Sequence, residues 1–142
     1  MFASMSKKQK VATAAGAVSA IMLALAPSAH ASWRSSITDA PVGFESRRWT
    51  DSQYSAVYFK DCEASNGSTS TDVQYFRVVD LAPDPGYDNK TFTNCFKGDN
   101  WISLGEWHDL PSGNYYFQIN KIGGGSSGRL DVYEVTQDDT AD

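Results

Sequence analysis

"NYYFQINK", residues 114–121, decides the fold class. Tyr115, Phe117 and Ile119 fall on one side of an extended chain, and Tyr116, Gln118 and Asn120 on the other. Side chains alternate across a strand, so this stretch reads as a strand with one buried face and one wetter face. A helix would bring residues three and four apart together, and no such stripe is present.

The same alternation recurs in both directions. "FESRRWT" (44–50), "QYSAVYFK" (53–60), "DVQYFRVVD" (72–80), "TFTNCFK" (91–97), "WISL" (101–104) and "RLDVYEVT" (129–136) are all rich in aromatic and β-branched residues. Turn residues separate them: Asn66-Gly67, Pro85-Gly86, "KGDN", "PSGN" and "GGGSSG". About seven short strands at this spacing predict an all-β fold, an antiparallel β-sandwich over residues 44–136. The flanks differ. "SWRSSITDAPVG" (32–43) reads as an N-terminal arm, and "QDDTAD" (137–142) as a disordered acidic tail.

Residues 1–31 read as a signal peptide. Lys7, Lys8 and Lys10 precede the uncharged run 11–26, and Ala29 and Ala31 form an A-x-A cleavage site. The expected product is secreted and extracellular, with no membrane association after cleavage. Losing the three lysines takes the net charge from −5 to −8. Such a chain is a poor nucleic-acid or anionic-membrane binder; the charge suits solubility outside the cell first, and a basic partner second. Cys62 and Cys95 are the only cysteines, and an even count behind an export signal predicts one disulfide between them.

Candidate chemistry is sparse. His108 is the only histidine after the leader, with Asp109 adjacent. Neighbours on a strand point to opposite faces, so Asp109 is badly placed to orient the ring, and no G-x-S-x-G elbow occurs. Asp80, Asp84, Asp88 and Asn89 could ligate calcium around the turn in "DLAPDPGYDN", without EF-hand spacing; turn aspartates also bind backbone amides. No pattern calls for a cofactor. The strongest signal is aromatic. Trp33 and Ile37 lie on the arm, Trp101 and Trp107 flank a glycine, and Tyr116 is on the wetter face of its strand. Exposed aromatic side chains anchor protein interfaces, so these four, with the apolar Ile37 of the arm, are the candidate partner-binding residues; the tryptophans could equally pack under loops. The arm could add as a strand to a partner's sheet, or form the first strand of the chain's own sandwich. The alternative is carbohydrate or cell-wall binding through Trp101, Trp107 and Tyr116.

The leader resembles those of secreted proteins of high-GC Gram-positive bacteria, the actinobacteria. "LPSGNYYFQI" resembles the turn and Tyr-rich strand of bacterial sandwich modules, and the rest is similar to small disulfide-containing β-sandwich proteins. Arm, compact sandwich and lack of a catalytic set also resemble the adaptor subunits of umbrella-shaped toxin particles. That likeness is architectural and carries over no site residue. It implies a non-catalytic adaptor in an extracellular complex, with an inhibitor of an extracellular protein as the neighbouring expectation.

Overall fold

The structure is a computed structural model that describes residues 32–139. The expected signal peptide and the last three residues of the expected tail lie outside the described residues. Six strands form: β1 (Trp33–Ala40), β2 (Trp49–Ala64), β3 (Thr71–Arg77), β4 (Gly86–Phe92), β5 (Ile102–Ile122) and β6 (Leu130–Asp138). All neighbours are antiparallel, in the order β1-β6-β2-β5-β3-β4.

One sheet makes two layers because its longest strands bend. Phe59 on β2 pairs with Ser103 on β5, yet its ring packs against Phe117, far along β5. The bend lies where the β2–β5 register slips around Gln53. Gln53 and Asp109 have φ of 68° and 57°, the left-handed values of a bulge that turns a strand. The first layer holds β1, β6, most of β2 and the first half of β5. The second holds the last part of β5 with β3 and β4. Residues 43–46 extend the β2 side of that layer: Gly43 and Ser46 amides donate to the Ile119 and Phe117 carbonyls.

Several expectations change here. "PSGN" is no turn. Thr50 and Asp51 pair with Asn114 and Gly113, and Gln53 with Leu110, so both flanks of Pro111 stay on the same partner. The strands expected at 101–104 and 114–121 are therefore two parts of β5. Proline is tolerated because it sits at the bulge, where ladder bonding is already interrupted. The strand expected at 44–50 reduces to a bridge at Glu45 and the start of β2. The one at 91–97 ends at Phe92 and passes into a short 3-10 turn, Asn94–Phe96.

The arm is not free. Residues 33–40 form β1, paired with β6, and Ile37 and Ala40 are buried. A segment judged too polar for its own core needs only every other residue to be apolar when a neighbour supplies the rest. The tail reading is corrected likewise: β6 runs through Asp138, and Gln137 and Asp139 are buried.

Between the layers lies a core of Phe59, Val73, Tyr75, Phe92, Trp107, Tyr115, Phe117 and Ile119. Burying each large apolar side chain contributes about 1.5–3 kcal/mol. The disulfide forms as expected. Cys62 on β2 joins Cys95 in the 3-10 turn, with Cα atoms 5.1 Å apart.

Candidate functional site

The start of β5 is built inside out. Ser103 and Gly105 face the core, while Ile102 and Leu104 face solvent, each 47% exposed. The inner positions are small because larger neighbours fill that space. A Cβ at Gly105 would lie 2.9 Å from both the Phe92 and Trp107 rings. Trp101, just before the strand, is also half exposed, with the Lys97 ammonium 5.1 Å from its ring centroid. Across the outer face, Leu104 pairs with Tyr58 and Ile102 with Lys60. Further out, Glu134 of β6 pairs with Lys60 and forms an ion pair with Arg34 of β1. An apolar strip thus meets a charged margin.

The strip is held rigidly. The disulfide clamps the 3-10 turn against β2, and the Cys95 amide donates to Ser103 Oγ at 2.9 Å. The Asp61 amide donates to the Trp101 carbonyl.

Of the five expected partner-binding residues, the structure leaves Trp101 on the surface and moves the others inward. Ile37 is in the core. Trp107 is buried, stacked on Tyr75 at 4.2 Å, and its Nε1 donates to the Asp88 carbonyl. Tyr116 is buried under the Arg48 guanidinium, 4.0 Å from its ring centroid. Trp33 is partly buried against Trp49 and Phe117, with Arg47 over its ring. Trp107 and Tyr116 are thereby withdrawn from the expected aromatic platform for sugars. Ile102 and Leu104 were not singled out by the sequence. Their signal was there: two large apolar residues alternate with a serine and a glycine, so one face had to waste either the large pair or the small one.

His108 lies on the outer face opposite Tyr54, ring centroids 5.1 Å apart. Tyr54 donates to Glu106 Oε2 at 2.8 Å; burial first, and then this carboxylate, push its phenol well above the usual range. The buried hydroxyls of this region are already engaged elsewhere. Ser55 bonds Tyr75 and accepts from Gln137 Nε2, and Ser103 accepts from Cys95. Burial holds the Tyr75 phenol protonated, so it is a hydrogen-bonding strut and not a base.

Among the oxygen donors weighed for calcium, Asp84 is engaged in turn chemistry. Asp84 accepts from the Val79 amide at 3.1 Å and the Tyr116 hydroxyl at 2.8 Å. These two bonds, the amide foremost, hold its carboxyl below the usual range. Asp88 lies on β4, and the described residues contain no cluster of three metal-ligating side chains.

A second feature is a polar cleft of about 610 Å³ between β4 and the first half of β5, flanked by residues 86–90 and 106–109. No family model, curated protein or solved structure matches the chain.

Proposed function

We propose that this protein is a secreted, non-catalytic protein-binding module, working as an adaptor subunit of an extracellular, toxin-type complex or as an inhibitor of an extracellular protein. One observation carries the reading: Trp101 and the inside-out start of β5, where Trp101, Ile102 and Leu104 are each about half exposed beside the 3-10 turn that the disulfide clamps to β2. Apolar anchors on a rigid element with a polar rim are the anatomy of a binding surface. The disulfide fits an oxidising compartment. Among the described residues no helix is long and apolar enough to cross a membrane.

A protein partner suits this surface better than a sugar does. Ile102 and Leu104 offer neither a ring face nor a hydrogen bond, and Lys97 lies over the Trp101 ring. The test is capture from culture supernatant on the immobilised full chain, beside Trp101→Ala and Leu104→Ser variants. The expected result is a stoichiometric protein that either variant weakens by about 2 kcal/mol, the size of an interface hot spot. Retention of the chain on peptidoglycan or polysaccharide, with no protein captured, would overturn the reading.

A further inference from the structure

β5 is paired unevenly. On one edge its ladder with β2 runs from Ile102 to Tyr115. On its other edge β3 pairs only from Tyr115 to Ile122. Residues 102–113 therefore have a second edge with no ladder. β4 has the same condition, since it pairs with β3 on one side only. The fold turns these two unpaired edges toward each other across the polar cleft.

One side-chain bond spans the gap. Trp107 Nε1 donates to the Asp88 carbonyl at 2.8 Å, so the outer edge of β4 is met by an indole and not by a β5 amide. Among the described residues no backbone–backbone hydrogen bond joins β4 to β5. Direct pairing would bring the two backbones to about 4.8 Å. Instead of such pairing, the indole bond spans them beside a cleft of about 610 Å³. A second opening, between β1 and residues 44–47, encloses only about 80 Å³ and is walled by Trp33, Phe44 and Phe117 among others. The two openings differ in kind: one is narrow and walled in part by rings, and the other is a slot between strand edges.

Charge narrows the occupant. Asp88, Glu106 and Asp109 line the slot with Lys90 and His108, so carboxylates outnumber basic side chains there. Unpaired edge amides and carbonyls are a template for an added strand, and acidic walls favour cationic side chains on it. The geometry points to a strand-addition site: the slot takes an extended, basic segment of a partner protein, hydrogen-bonded to the free edge of β5 around residues 106–109 and to the outer edge of β4. This rests on the protein-binding reading but uses a different surface from the Trp101 strip. A module with both surfaces would join two partners, as an adaptor must.

The probe is an eight-residue peptide of alternating Lys and Val with blocked ends, added to the full chain. Amide hydrogen exchange should slow at 106–109 and 87–90. A copy N-methylated at alternate residues, which removes backbone donors on one edge, should lose that protection. An Asp88→Lys/Asp109→Asn variant should bind the peptide about tenfold more weakly at low salt, and wild-type binding should fall as salt rises. Asparagine is chosen at 109 because it tolerates the left-handed backbone there. Equal binding of the N-methylated peptide would overturn strand addition, and this arm needs no variant to fold. So would protection of these amides by a neutral oligosaccharide alone, or by self-association of the chain without peptide. If a partner captured from supernatant depends on Trp101 but the peptide gives no protection, the slot fails and the binding-module reading stands. If the peptide binds as expected but no partner is captured, the slot stands and that reading fails.

Discussion

Two stretches of β5, 102–105 and 115–119, share one strand and have opposite designs. From Tyr115 to Ile119 the inward residues are Tyr115, Phe117 and Ile119, all essentially inaccessible to solvent. From Ile102 to Gly105 the inward residues are a serine and a glycine, and the large apolar side chains point out. The difference comes from what lies opposite. Residues 115–119 meet Phe59, Trp33 and Tyr75 across the core, and their rings complete that packing. Residues 102–105 lie under the Phe92 ring and the Trp107 ring two residues further along the same strand, which already fill the inner space. A large side chain at 115, 117 or 119 therefore contributes to stability, as do the inward Trp107 and Leu110. The outward pair Ile102 and Leu104 contributes little, and its retention needs another reason.

That contrast can be broken most severely at Phe117. Phe117→Ala should cost about 3–5 kcal/mol, the range for emptying a large core site, and denaturant unfolding would measure it. A loss below 1 kcal/mol would mean that residues 115–119 are not the core. Next is the clamp beneath the strip. Replacing Cys62 and Cys95 together by alanine should cost about 4 kcal/mol on the loop-closure account. Exchange protection should fall first in the 3-10 turn, which this bond ties to β2 and whose Cys95 amide is held by Ser103. Uniform loss across all strands would contradict a local clamp. Gly105→Ala should destabilise by about 1–3 kcal/mol through crowding against Phe92 and Trp107, whereas most alanine changes away from the core move stability far less. Ile102→Ser with Leu104→Ser should leave stability within about 0.5 kcal/mol while weakening partner capture. A large drop in melting temperature would assign those side chains to the fold.

The smallest effect at neutral pH is an alkaline one, confined to a window. Burial, followed by the hydrogen bond to Asp84, pushes the Tyr116 phenol up to about 12. Tyr54 and Tyr115 are raised too, in each case by burial first. A raised folded value means that the unfolded chain gives up these protons earlier. Their contribution is complete below about pH 10 and declines as pH rises through the folded values. Thermal unfolding followed from pH 7 upward should stay flat to about 10 and then fall. A fall beginning near pH 8 would implicate other groups.

Much of the β architecture was legible because strand periodicity is local. Tyr115, Phe117 and Ile119 announce a buried face without knowledge of what covers it. The cysteine pairing was legible for a different reason, since two cysteines allow only one internal bond. The candidate site was legible only at Trp101. Trp107 and Tyr116 look the same in composition, yet one is stacked on Tyr75 and the other lies beneath Arg48. Those covers come from β3 and from the residues just before β2, far away in sequence. "PSGN" misled for a related cause: the same residues that close a hairpin also relieve a bulge, and the partner strand decides between them.

By itself, then, the sequence determined what is written in neighbouring residues: strands, a single disulfide and an acidic chain. The tertiary structure decided which faces are inner. It made residues 33–40 an edge strand, joined two expected strands into β5, buried four expected contact residues wholly or in part, and set β4 and β5 apart as facing edges. The physical reason is that alternation specifies two faces but not their assignment. Burial depends on volume already occupied from elsewhere, and that volume is known only once Phe92, Trp107 and Tyr75 have met.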